Sequence, residues 1–234
     1  MENELLYNEK EFSITVNKVM KNIFMLMTVA LVVTGYTSYI IMNNEEILIK
    51  LLSNNLLFFG LCIAEVVMVI VISTVINKLS FNMAMILFGI YSVLSGVTLA
   101  PLCAIYTEES ITSTFFVTAA TFGSMALIGY TTKKDLSAIG KILIMALIGI
   151  IIASVVNIFT KSSGLAMIIN YAGVLIFVGL TAYDTQKIKQ FTQNNITTGN
   201  EANIPKLSII GALTLYLDFI NLFLHLLKIM GKKK

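Results

Sequence analysis

Asp184 and Asp218 are the two residues whose chemistry most needs an explanation. Asp184 interrupts the apolar stretch LIFVGLTAYDTQKIK, and Asp218 interrupts LSIIGALTLYLDFINLFLHLLK. An ionised carboxylate at membrane depth costs roughly 2.5–3.5 kcal/mol even on lenient insertion scales. Such a group is therefore kept where it faces an internal cavity, pairs with a partner, or handles an ion or a proton. Two of them on consecutive apolar segments point to one shared site. Two carboxyls in contact cannot both ionise cheaply, so they titrate as a unit.

Other polar residues line up with this pair. Asn221 and His225 follow Asp218 at i+3 and i+7, which places all three near one face of a helix. His225 is the sole histidine, and no HExxH motif or paired cysteine accompanies it, so it cannot build a zinc site. It reads either as a neutral hydrogen-bonding residue near the outer interface or as part of a proton path. Glu65, in AEVVMVIVIS, reads either as a structural partner for a hydroxyl or lysine or as the outer mouth of an ion path. Glu65, Asn221 and His225 are the candidate ion path. Asp135, in TTKKDLSAIGK, falls in a connection just before a helix and reads as an N-cap feature. Cys62 and Cys103 lie in apolar runs and read as small buried hydrophobes.

The elements that must position these groups follow from composition. Of the 234 residues 57% are hydrophobic and 12% charged, with a mean hydropathy of +0.86. Soluble domains carry about 25% charged residues, so an all-α integral membrane protein is expected throughout. A crossing helix needs about 20 mostly apolar residues. Seven such runs are read at 22–42, 56–76, 83–106, 111–131, 141–159, 167–189 and 207–229. The expected organisation is a cytosolic N-terminal segment over 1–21, a seven-helix transmembrane domain over 22–230, and a lysine-rich tail over 231–234. The N-terminal segment lacks the pattern of a secretory signal, so the first apolar run is expected to stay in the protein. The segments 43–55, 77–82, 107–110, 132–140, 160–164 and 190–206 read as connections, too short for an extramembrane catalytic domain.

Loop lysines set the expected orientation. An N-terminus in the cytosol places ten lysines inside and six outside, although Lys232, Lys233 and Lys234 pull the other way. Seven full spans put that tail outside, whereas a re-entrant last helix would return it. If the sixth span runs inward, Asp184 sits about 9 Å before Gln190 and Asp218 about 16 Å into the seventh span, in the same inner half. Small residues (Gly89, Ser92, Ser95 and Gly96 in the third span, Gly123, Ser124 and Gly129 in the fourth, Gly173 and Gly179 in the sixth) suit close helix approach in lipid. Pro101 reads as a local kink or a helix end. All sixteen basic residues are lysine, so the arginine forks expected of a nucleic-acid face are missing and no nucleic-acid partner is expected.

The segments GLTAYDTQKIK, LYLDFINLFLHLLK and GYTTKKDLSAIGKILIMALIGIIIASVVNIF together resemble the Bax inhibitor-1 family, most of all its bacterial branch. The likeness extends to AEVVMVIVIS and LSGVTLAPL and covers nearly the whole apolar portion. The resemblance implies a last helix at the centre with six wrapped around it, in a bacterial plasma membrane, and a pH-sensitive calcium leak. It further implies that Asp184 and Asp218 form a hydrogen-bonded pair that senses pH and gates the ion. Some relatives place an arginine at the inner end of the second helix, where it latches onto the pair. Here Ile76, Asn77 and Lys78 occupy that region, and Lys78 is the one cationic substitute.

In physical terms, a shared proton lets a carboxyl–carboxylate hydrogen bond hold the last two helices together. Losing it leaves two like charges that part the helices or draw in a cation. Calcium prefers oxygen ligands, and two carboxylates with an asparagine make a transient calcium site at Asp184 and Asp218 rather than a storage cage. The expected partners are the lipid bilayer, calcium as transported ion, and protons, with no cofactor and no catalytic residue. One alternative is a non-catalytic regulator of membrane-protein quality control or stress survival that binds a membrane protease or another membrane protein. A remote alternative is an intramembrane aspartyl protease. Tyr183–Asp184 suits its first half, but Asp218 follows LYL rather than a Gly-x-Gly run.

Overall fold

The computed structural model describes the backbone from Glu2 to Lys234 and the side chains from Phe12 onward, apart from Asn77 and Glu201. Glu2, Glu4, Glu9 and Glu11 of the expected N-terminal segment, and Asn77 beside Lys78, therefore have side chains outside the described residues.

Apolar runs without turn residues fold here as helices. The chain forms α1 (Glu2–Met42), α2 (Glu45–Ser53), α3 (Asn55–Val75), α4 (Phe81–Ile105), α5 (Glu108–Thr131), α6 (Ser137–Thr160), α7 (Ser163–Thr197) and α8 (Ile204–Met230). Seven are long and apolar enough to cross a membrane, with Phe12–Met42 as the candidate span of α1 and α2 left out. The protein is a multi-pass helical membrane protein. α8 is the most enclosed, with 61% of its apolar stretch buried against 0% in α6.

Three connections or breaks differ from expectation. The segment 43–55 is not a loop: Asn44 accepts from the Ile47 amide (3.1 Å) and starts α2, while Asn54 accepts from Leu57 (3.0 Å) and starts α3. At nine residues α2 is too short to register as a span. α7 continues past Gln190 to Thr197 because no breaker intervenes before Gly199. Gly199 has φ +70°, and the amides of Gly199 and Asn200 bond the carbonyls of Ile196 (3.2 Å) and Asn195 (2.8 Å). This pairing satisfies the last carbonyls through a left-handed residue that glycine tolerates without strain. Pro101 is buried inside α4, which runs four residues beyond it rather than ending there.

The chain divides into two compact units, each described by itself. The first runs to Ile105 and resumes over Lys189–Tyr216; the second comprises Tyr106–Ile188 and Leu217–Lys234. In the first, α1 buries Val16, Met20, Ile23, Met27, Ala30, Thr34 and Ser38, a helical stripe packed on α4. Gly96 lets the two backbones meet, for a β-carbon there would stand 2.6 Å from the Thr34 carbonyl oxygen. Tyr216 is fully buried in this unit. Its ring meets Phe88 and Tyr91 edge-on at 6.0 and 5.7 Å between centroids. Thr34 gives its one hydroxyl hydrogen to the Ser92 carbonyl (2.8 Å), so Tyr216 donates to Thr34 Oγ1 (2.8 Å).

In the second unit several small residues again mark close approach, whereas Gly123 there, like Gly89 in the first unit, has open space where a β-carbon would stand. Gly129 lies against the Ala182 backbone, Gly140 against the Tyr183 ring, Gly173 against the His225 ring and Gly179 against Leu143. The tail is fastened as well. Thr107 N donates to Lys232 O (3.0 Å), Lys232 N donates to Ser110 Oγ (2.9 Å), and Tyr106 pairs with Lys233 as an isolated bridge. The end of α8 thus sits at the α4–α5 connection.

Candidate functional site

Helix arithmetic places the two aspartates at one level. Thirteen residues separate Asp184 from the end of α7 at Thr197, and fourteen separate the start of α8 at Ile204 from Asp218. At 1.5 Å per residue these are about 20 and about 21 Å. The extension of α7 accounts for the agreement; counting from Gln190 alone separated them by a turn or more.

One face of each helix forms the seam. α7 contributes Asn170, Gly173, Phe177 and Asp184, at spacings of three, four and seven. α8 contributes Asp218, Asn221 and His225. The His225 ring stacks on Phe177 (5.8 Å between centroids, 26° between planes), and its Nδ1 lies 3.2 Å from Asn170 Oδ1. Asn170 Oδ1 can only accept, so Nδ1 carries the hydrogen. His225 needs Gly173, because a β-carbon there would clash with its ring. Seven residues earlier on α8 and seven later on α7, Asp218 and Asp184 take the corresponding places. Asn221 is half-buried and its Nδ2 donates to the Leu217 carbonyl of its own helix (2.8 Å).

Asp218 is 4% exposed, and its Oδ2 has no hydrogen-bond partner. The charge that acts on it is that of Asp184, which is itself half-buried. No donor reaches that Oδ2 oxygen, and a hydrogen bond between the two carboxyls needs a proton on one of them. Thr185 Oγ1, next to Asp184, is likewise enclosed without a partner. The cation acting on Asp184 is Lys187, one turn further along α7, with Nζ 5.6 Å from the centre of the Tyr183 ring. No group of three carboxylate, histidine or cysteine side chains that could hold a metal occurs among the described residues.

The turn carrying Asp184 is gripped from its other sides. Ala182 rests on Gly129 of α5 and Tyr183 on Gly140 of α6. Gln186, 6% exposed, accepts from Leu136 N (2.9 Å) and donates to Lys134 O (2.8 Å), both in the α5–α6 connection. In that connection Asp135 Oδ1 accepts from Ser137 N at the start of α6 (2.9 Å). Hydrogen bonding by Ser137 holds this exposed carboxyl below the usual aspartate range.

Glu65 lies in the other compact unit. It is half-buried, and Thr98 Oγ1 donates to its Oε1 (2.7 Å), with Ser95 also beside it. It has the hydroxyl partner that one of its two readings required. Lys78 belongs to that unit too and is exposed at the end of the 3-10 turn Ile76–Lys78.

Residues 16–234 match the protein family described as "Inhibitor of apoptosis-promoting Bax1". The chain belongs to the Bax inhibitor-1 family. It is 49% identical over 215 residues to "Inner membrane protein YbhL" of Escherichia coli K12, covering 92% of both chains. It is 42% identical to an uncharacterized protein of Borreliella burgdorferi, covering 98% of each. An uncharacterized membrane protein of Streptococcus pyogenes serotype M1 shares 33% identity over 99% of each. Within this Bax inhibitor-1 chain, sequence reasoning passed over Asn170 and Phe177 around His225, and Thr185 and Gln186 around Asp184, and it read Gly173 only as a packing residue and Lys187 only as a loop charge. A glutamine in the apolar run LTAYDTQKIK was the available sign of Gln186.

Proposed function

We propose that this protein is a pH-sensitive calcium leak in a bacterial plasma membrane, with its N-terminus cytosolic and Asp184 and Asp218 as sensor and gate. The observation that carries this reading is the enclosed, unpartnered Oδ2 of Asp218 facing the field of a second carboxyl. A buried carboxylate oxygen without a donor has strong affinity for a proton or a cation. With a proton present the two carboxyls can share it across the α7–α8 seam. With the proton gone, two like charges remain at one level and either spread the seam or admit a compensating calcium ion. Glu65, Asn221 and His225 supply polar steps along the path, and Lys78 is the residue available for a cationic latch.

The non-enzymatic reading fits the names of the family, which describes an inhibitor, and of the E. coli relative, which describes an inner membrane protein. The test is calcium flux in liposomes from pH 5 to 8, for wild type and for Asp184→Asn/Asp218→Asn. Flux that varies with pH in wild type and loses that variation in the double variant supports the leak and its sensor. A folded wild-type protein without flux at any pH overturns it and favours binding to a membrane protease or another membrane protein.

A further inference from the structure

The turn Ala182–Gln186 is held on every side but one. Taking about 100° per residue, Ala182 and Gln186 lie about 40° apart, towards α5 and the connection that follows it. Tyr183 points towards α6. Asp184 lies about 160° from Gln186, on the side that faces α8. Each fastening has its own partner: Gly129 for Ala182, Gly140 for Tyr183, and the backbone of Lys134 and Leu136 for Gln186. The two glycine contacts limit how far the turn can move towards α5 and α6. Only the bidentate amide fixes its height along the helix axis and its rotation, because it bonds a donor and an acceptor at once.

We propose that Gln186 is the positioning residue for the Asp184 carboxylate, tying the turn that carries it to the α5–α6 connection. The inference rests on the calcium-leak reading and deepens it. Gln186 touches neither aspartate; it sets where Asp184 stands opposite Asp218. The charged groups around Asp184 are Asp218 from α8 and Lys187 from its own helix, while α5 and α6 present Gly129 and Gly140 to this turn. Loss of the clamp leaves Leu136 N and Lys134 O without their partner and frees the turn to rotate, which spoils the oxygen geometry offered to a cation. Hydrogen-bond partners that orient ligating carboxylates typically change metal affinity roughly 10–100-fold when removed.

The experiment compares wild type, Gln186→Met (similar in size, without the amide) and Gln190→Met, an exposed control one turn on, in calcium-loaded liposomes. Gln186→Met is expected to raise the calcium concentration for half-maximal flux about tenfold, with maximal flux held within about twofold. Gln190→Met should match wild type. Should Gln186→Met fail to fold, Leu136→Pro removes the donated amide from the other side. Leu136 sits at φ −90° just before α6, near the value proline imposes. A change in maximal flux alone, or none in either quantity, overturns the inference and leaves the leak standing. If wild type itself passes no calcium, the leak falls and amide exchange decides the geometry. Protection of the Leu136 amide that disappears in Gln186→Met upholds the clamp, and unchanged protection overturns it.

Discussion

Gly173 and His225 interlock across the α7–α8 seam, the glycine leaving the space that the imidazole ring fills. The ring is further held by Phe177 stacking and by Asn170. Gly173→Ala should therefore act as overpacking, which costs roughly 1–3 kcal/mol, rather than as the gain that glycine-to-alanine brings in an open helix. Thermal unfolding in detergent should show a lower Tm for Gly173→Ala and recovery in Gly173→Ala/His225→Ala, where the smaller side chain restores the room. A Tm unchanged by the single substitution would mean that the seam is not packed as described.

Glu65 presents the opposite case, a carboxylate already satisfied. Thr98 donates to it at 2.7 Å, and it belongs to a different compact unit from the aspartates. Glu65→Gln keeps the shape and an acceptor but removes the charge. In the liposome assay it should lower calcium flux while leaving the pH midpoint where wild type has it. Flux equal to wild type would remove Glu65 from the path and leave it a structural partner of Thr98.

Much of this was open to sequence reasoning because membranes make some residues conspicuous. Asp184 and Asp218 stand out in apolar runs, and span count follows from length and hydropathy. Gln186 was missed because its partners are the backbone atoms of Lys134 and Leu136, about fifty positions away, which no residue type encodes. Tyr216 was passed over for a related reason: its value lies in a phenol wedged among Thr34, Phe88 and Tyr91 from distant helices. The polar end of α7, QFTQNNIT, has no apolar period, so a helix there looked like a loop, and Gly199 was the one local sign of where it stops.

Asp135 offers a pH dependence outside the membrane. Its carboxylate is bonded by Ser137 and held below the usual aspartate range, so the folded state favours the charged form. The sign follows by linkage: its contribution is present above the unfolded value of about 3.9 and fades as pH falls through the lower folded value. Asp135→Ala should thus be less stable than wild type at pH 7, and the gap should close on acidification below the unfolded aspartate value. Unfolding midpoints in detergent across that range check it; a gap that stays constant would assign the loss to something other than the charge.

The lysine tail gives a prediction about both topology and stability. Lys232 exchanges backbone and side-chain hydrogen bonds with Thr107 and Ser110, so Lys234 and the α4–α5 connection share one side of the membrane. Single cysteines placed at Glu109 and at Lys234, in a chain whose Cys62 and Cys103 are replaced by alanine, should react with an impermeant thiol reagent from the same side. Reaction from opposite sides would disprove the strap and with it the full last span. Ser110→Ala removes the acceptor of the Lys232 amide, a loss of about 1 kcal/mol, which corresponds to a Tm drop of about 2–4 °C in a chain this size. Amide exchange should localise the effect to the end of α8, where Gly231 N bonds Leu227 O at 2.8 Å beside the Tyr106 ring. Faster exchange there, with the Asp184 turn unaffected, separates the strap at one end of α8 from the seam in its middle.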